Sequence, residues 1–169
     1  MDEGRRRFLT ATEHYEIIAL DSNACIYYLQ GHPHADLVAA LIERAVEGSL
    51  LIVLSALVQL ELLVLPYRVA NMAAVRRILQ FTEQHEGIAT YPITREVVLR
   101  TAQIRAATGL NVPDAIVAAS ASVYGAEAIV GNDRDFQRLN EAGDMRMINR
   151  RARLPAFVAL DAFVAAGAK

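Results

Sequence analysis

The chain of 169 residues is 54% hydrophobic and 21% charged, with one cysteine and a formal net charge of −2, which suits a single domain with one core. That composition excludes a disordered, collagen-like or disulfide-stapled chain, and Cys25 alone can form neither an intramolecular disulfide nor a multi-cysteine zinc site. The longest apolar stretch, Leu50 to Pro66, is interrupted by Ser55, Gln59 and Glu61, and residues 1–16 lack an apolar signal core, so a soluble cytoplasmic protein without a membrane span is expected.

Ile17 to Leu20 reads as a buried strand ending at Asp21, with Ser22 or Asn23 offering an N-cap for a helix from Ala24 to Leu29. His32, Pro33 and His34 break the chain in what reads as an exposed loop, and the spacing of Leu37, Leu41, Ile42 and Ala45 predicts a helix over Asp36 to Glu47. Leu50 to Leu54 is a second strand. Ser55 caps a helix through Val64, Pro66 breaks it, and Ala70 to Gln84 resumes it. A short strand at Ile88 to Tyr91 leads to Thr94, the cap of a helix ending at Thr108 before Gly109. Pro113 opens the next helix, Asp114 to Tyr124. Ala128 to Val130 is a strand, Asp133 to Leu139 a helical turn, and Met145 to Ile148 a last strand. The arginine-rich piece beyond it leads into an amphipathic helix from Pro155 to Ala166. Short apolar strands alternating with helices predict a three-layer α/β domain with a mostly parallel central sheet. The organisation expected is an N-terminal extension over 1–16, a core domain over 17–148 and a basic C-terminal extension over 149–169.

In sheets of this kind the working site lies beyond the carboxyl ends of the strands, where strand order reverses. Asp21 and Asp133 each follow a strand directly, with Asp135 two residues further on, and Asp114 lies in a first helical turn followed by small and apolar residues. Glu61, inside LVQLELLVL, is the oddest charge in the chain. Buried, it would cost several kcal/mol unless paired, with Arg68 or Arg100 as the available partners, or bound to a metal. Carboxylates converging on one cleft repel one another, and a cation relieves that repulsion. Hard oxygen ligands select Mg²⁺, with Mn²⁺ as the alternative, which is the inventory of metal-assisted phosphodiester hydrolysis.

Four segments carry a resemblance: LDSNACIYYL around Asp21, SALVQLELL around Glu61, LNVPDAIVAASASVYGA around Asp114 and AIVGNDRDFQRL around Asp133. In order and approximate spacing they resemble the signature blocks of PIN-domain ribonucleases, in particular the VapC-type toxins of bacterial toxin-antitoxin modules. The resemblance spans about Ile17 to Ile148. It implies a PIN-like fold and Mg²⁺-dependent endoribonuclease activity. It further implies catalytic and metal-holding roles for Asp21, Glu61, Asp114 and Asp133, with Asp135 as an extra or substitute ligand. A homodimer and a small antitoxin partner are also implied. Ser22 matches the small polar residue that follows the first acid. One departure stands out: Gly131 occupies a position where the family commonly has Thr or Ser, leaving Asn132 or Ser22 to supply the polar contact.

Other readings of these residues stand beside that one. Each aspartate taken alone suits a turn or a helix start. A catalytically silent PIN-like module that binds RNA or protein would keep the same fold. A haloacid-dehalogenase-type phosphatase also has an Asp after its first strand but needs a second two residues later, where this chain has Asn23. Arg76, Arg77, Arg105 and Arg134 are candidate RNA contacts, and the denser run of Arg146, Arg150, Arg151 and Arg153 reads as either an RNA clamp or a dimer contact. Tyr27 and Tyr28 read as packing residues, and His32 and His34 do not form a convincing ligand cluster. Residues 17–135 carry eight arginines against twelve acidic residues, so their acidity is accounted for by the proposed metal site. RNA binding is therefore expected to depend on the metal.

Overall fold

A computed structural model describes residues 3–142 and 154–164. Five strands form one wholly parallel sheet in the order β3-β2-β1-β4-β5. They are β1 (Ile17–Leu20), β2 (Leu51–Ser55), β3 (Ile88–Tyr91), β4 (Ala128–Gly131) and β5 (Ala156–Ala159). Nearly every residue of β1, β2 and β4 is buried, so side chains on both faces of the sheet are covered and the domain has three layers. The outer strands β3 and β5 are only partly buried. The flanking helices are α1 (Glu3–Thr12), α2 (Ser22–Gln30), α3 (Ala35–Val46), α4 (Ala56–Arg68), α5 (Met72–Leu79), α6 (Arg95–Thr108), α7 (Val112–Val123) and α8 (Gln137–Glu141).

Local chemistry sets most boundaries where the sequence places them. The Ser55 side chain accepts from the Leu57 amide at the start of α4, and Thr94 accepts from Val97 at the start of α6. Gly31 and Gly109 close α2 and α6 in the left-handed conformation. Gly87 meets a sharper demand. Its φ is +77°, and a Cβ there would stand 2.6 Å from the backbone and side chain of Ala45, so only glycine fits between α3 and β3.

Four expectations are corrected. Asp21, rather than Ser22 or Asn23, occupies the N-cap position of α2, although its side chain makes no capping hydrogen bond. Pro66 does not end α4, which runs on to Arg68. So near the C-terminus the missing N–H removes a single bond, and the Asn71 amide then donates to the Pro66 carbonyl. The resumed helix is shorter than expected: α5 begins only after Asn71, whose side chain caps it, and gives way to a π-helical turn over Gln80–Gln84. The amphipathic helix expected from Pro155 is replaced, within the described residues, by strand β5 and a 3₁₀ turn over Leu160–Phe163. Phe157 and Leu160 are buried, and pairing with β4 satisfies the backbone where helix propensity would have left the edge of β4 open. The strand expected at Met145 to Ile148 and the arginines from Arg146 to Arg153 lie outside the described residues.

The N-terminal segment is folded onto this core. Phe8 of α1 is fully buried and meets Phe163 edge to face, at 5.2 Å between ring centroids. Arg44 of α3 donates to the carbonyls of Thr12 and Tyr15 at 2.9 and 3.0 Å, and Arg5 pairs with Glu43.

Candidate metal centre

Strand order reverses at β1, which is flanked by β2 and β4, so the crevice at its carboxyl end is the topological switch point. Asp21 leaves β1 there, its amide donating to the Val130 carbonyl of β4 at 3.0 Å. Asp133 follows β4 by two residues and caps a 3₁₀ turn over Arg134–Phe136, its Oδ1 accepting from the Asp135 amide at 2.9 Å. Asp114 enters from the first turn of α7. Asn111 fixes it twice: the Asn111 Oδ1 accepts from the Asp114 amide at 2.9 Å, and the Asn111 amide group donates to Asp114 Oδ2 at 2.7 Å.

Carboxylate oxygens of Asp114, Asp133 and Asp135 all lie within 4.8 Å of one another. Asp21 and Glu61 stand outside that trio but close enough for their charges to act on it. Burial pushes the Asp21 carboxyl up to about 6; the Ser22 and Asn23 amides offset part of this, and repulsion from Asp114 and Glu61 adds to it. Asp114 is likewise raised to about 6, first by burial and then by the charge of Asp133, with the Asn111 hydrogen bond pulling the other way and Asp135 and Glu61 adding repulsion. Among the described residues the only ion pair in the group is Arg138 to Asp135, at 3.5 Å. Among the described residues, Asp21, Glu61, Asp114 and Asp133 therefore have no ion-paired side-chain cation to balance them. An all-oxygen donor set with this uncompensated charge fits a hard divalent cation.

Glu61 differs from its sequence reading. It is half-buried, not dry, and forms no hydrogen bond or ion pair among the described residues. Arg68 is exposed, and Arg100 is buried and bonds Ser122 and Gln103. Glu61 edges a cleft of about 310 Å³ walled by Ile26, Leu29, Leu62, Leu65 and Val69, with Arg77 also at its border. Arg76 and Arg134 are exposed, whereas the Arg105 side chain donates to the Leu110 carbonyl at 3.0 Å and holds the loop before Asp114. Cys25 is fully buried behind Asp21, and burial pushes its thiol above the ordinary range, so it remains an inert thiol.

Neither expected polar substitute for a hydroxyl at position 131 fills that role closely. Ser22 Oγ lies 3.5 Å from Asp21 Oδ1, and the Asn132 side chain is engaged with Asp161. The glycine has a steric reason instead: a Cβ at 131 would stand 2.8 Å from the Asp21 Cβ and 3.2 Å from its Oδ2. Gly131→Ser is expected to push Asp21 out of the crevice, lowering stability by about 1–3 kcal/mol and weakening Mn²⁺ binding. Thermal melts and calorimetric titration of the variant check both effects.

Two residues of the site were missed in the sequence. Asn111 carries a readable signal, an N-cap residue three positions before Asp114. Asp161 carries none, because its contact with Asn132 is made across 29 positions of chain. His34, expected in an exposed loop, is buried: its Nε2 lies 2.8 Å from Asp161 Oδ1 and its Nδ1 2.8 Å from His32 Nδ1. Tyr27 stacks on both imidazoles, and Tyr28 packs on Phe81.

The PIN domain family matches residues 18–142, and the chain belongs to it. That membership sets the phosphatase alternative aside. No curated protein matches the chain in sequence. VapBC2 from Rickettsia felis, solved bound to a promoter DNA fragment, is similar over 72% of this chain and 92% of its own, at 19% identity and a TM-score of 0.57. A toxin-antitoxin complex from Klebsiella pneumoniae is similar over 70% and 89%, at 20% identity and a TM-score of 0.53. DNA-bound VapBC from Salmonella typhimurium covers 86% of this chain and 98% of its own, at 16% identity and a TM-score of 0.53. At these identities the likeness establishes a shared fold. None of the helices among the described residues is long and apolar enough to cross a membrane.

Proposed function

We propose that this PIN-domain protein is a Mg²⁺-dependent endoribonuclease and the toxin of a toxin-antitoxin pair. The observation that carries the reading is the clustering of the Asp114, Asp133 and Asp135 carboxylates at the switch point beside Asp21, where among the described residues only Asp135 has an ion-paired side-chain cation. Asp114, Asp133 and Asp135 would hold the cation, with Asp21 and Glu61 contributing directly or through water. Mn²⁺ would serve in its place. When bound, such an ion supplies charge stabilisation to a phosphodiester under attack by water. The chain's own part is to hold the carboxylates: Asn111 orients Asp114, the Asp135 amide orients Asp133, and the Asp21 carboxyl is kept beside β4 by Gly131. No side-chain nucleophile is required, so products should carry 5′-phosphate and 3′-hydroxyl ends.

The antitoxin reading is supported by the toxin-antitoxin complexes that share this fold. The apolar cleft beside Glu61 suits an apolar segment of such a partner, one that places a basic side chain near the acids. Leu60, Val64 and Tyr67 are exposed along one face of α4, a stripe that a second copy of the chain would cover in a homodimer. A cytoplasmic location is part of this reading, since it would suit an RNA substrate and a single free thiol.

The test is cleavage of a panel of structured RNAs by the full chain in Mg²⁺, in EDTA and as Asp133→Asn. Cleavage confined to the Mg²⁺ arm, with the stated ends, is expected. Cleavage that persists in EDTA contradicts the mechanism, and metal binding without cleavage of any RNA points to the silent module.

A further inference from the structure

We propose that Asp161, outside the residues that match the family, is a positioning residue for the acidic site, acting on Asp133 through Asn132. The inference rests on the reading of Asp133 as a metal-holding residue. The contact is reciprocal. The Asn132 amide group donates to Asp161 Oδ1 at 2.7 Å, and the Asp161 backbone amide donates to Asn132 Oδ1 at 2.9 Å. Two hydrogen bonds between the same residue pair fix both position and orientation, and the charged acceptor strengthens one of them. Asn132 immediately precedes Asp133, so the clamp sets the exit direction of the chain from β4 and with it the turn that aims the Asp133 carboxylate.

Asp161 is itself held. His34 Nε2 lies 2.8 Å from the same Oδ1, and a carboxylate only accepts, so that nitrogen carries a proton. The second imidazole nitrogen, Nδ1, then faces His32 Nδ1 at 2.8 Å, while Tyr27 stacks on both rings with centroids 4.3 and 4.9 Å away. His34 is only 7% exposed, which gives the 3₁₀ turn after β5 a rigid anchor on the loop between α2 and α3. Asn132 is thus tied to two segments remote in sequence. Partners hydrogen-bonded directly to a metal ligand typically alter affinity or activity 10- to 100-fold when removed, and a clamp on the residue before the ligand is expected at the lower end of that range.

The experiment compares the full chain with Asp161→Ala, Asn132→Ala, the double variant and Asp161→Asn. Three quantities are read: hydrogen exchange at the Asp133 to Asp135 amides, Mn²⁺ affinity by calorimetry, and the split of kcat from KM on a cleavable RNA. Asp161→Ala is expected to speed exchange at these amides, weaken Mn²⁺ binding about tenfold, and lower kcat with little change in KM. Asn132→Ala, which truncates a half-buried residue of the turn and leaves Asp161 and its His34 contact in place, is expected to do the same and serves alone if Asp161→Ala does not fold. The double variant should lose no more than either single one. Asp161→Asn should restore both exchange and affinity, since its amide oxygen still accepts from Asn132. Wild-type exchange and affinity in a folded Asp161→Ala or Asn132→Ala protein, or additive losses in the double variant, would overturn the proposal. If the unaltered chain neither binds Mn²⁺ nor cleaves RNA, the nuclease reading fails, and the exchange data still decide whether the clamp holds the turn.

Discussion

Asp21→Asn is expected to raise the stability of the metal-free protein at pH 7.5 while sharply lowering RNA cleavage. The carboxyl of Asp21 is raised from 3.8 to about 6, so in the folded state it holds its proton more tightly than in the unfolded chain. Below pH 4 both states are protonated and the group has no effect. As pH rises from 4 through 6 the unfolded chain ionises first, and above 6 the folded state carries a buried carboxylate that costs about 3 kcal/mol. Asparagine removes that charge with nearly the same shape. At pH 7.5 the variant should therefore melt several degrees higher, with the gain shrinking toward zero as pH falls to 4. Cleavage should fall by about 10³-fold, the equivalent of several kcal/mol of lost transition-state stabilisation. A variant that gains stability and loses activity at once would mark Asp21 as a functional charge whose place in the crevice is costly to the fold. Equal melting of the two proteins across this range would contradict the burial argument.

Metal binding is expected to depend steeply on pH in the opposite sense. Both Asp21 and Asp114 are raised to about 6, so at pH 5 a cation must displace a proton from each, whereas at pH 7.5 both are ionised. If both contribute to binding, the Mn²⁺ affinity should fall about tenfold for each carboxylate, or about 100-fold in all, between pH 7.5 and pH 5. The metal should likewise raise the melting temperature more at pH 7.5 than at pH 5, because it binds the folded state alone. Calorimetric titration across this range measures the slope, and each of Asp21→Asn and Asp114→Asn should remove about half of it.

The first four strands in the chain, β1 to β4, were legible because each is a short apolar run bounded by a cap or a break, and the acids Asp21 and Asp133 could be placed at strand ends for the same reason. Asp114 was legible from its helix start. The outer strand β5 was not: AFVALDAF has helical spacing, and only the open edge of β4, a feature of the assembled sheet, decides for a strand. Pro66 misled through its usual preference, because so near a helix end it costs only one bond. Glu61 was singled out for its apolar neighbours in sequence, yet helix geometry turns it to the rim of a cleft where water reaches it. Gly131 stood out as a departure, but its reason, the closeness of Asp21, exists only once β1 and β4 are paired. The same holds for Asp161 and His34, whose contacts join segments that no local pattern relates.

The central claim is that the acids at the β1 and β4 ends form a divalent metal centre. Calorimetric titration of the full chain with Mn²⁺ at pH 7.5, set beside Asp114→Asn, tests it most directly. Asn111 can still bond an asparagine at position 114, so that variant should keep its fold. Saturable binding to the unaltered chain, weakened at least about tenfold in Asp114→Asn, is the predicted result. No binding, or binding that is the same in both proteins, would contradict it.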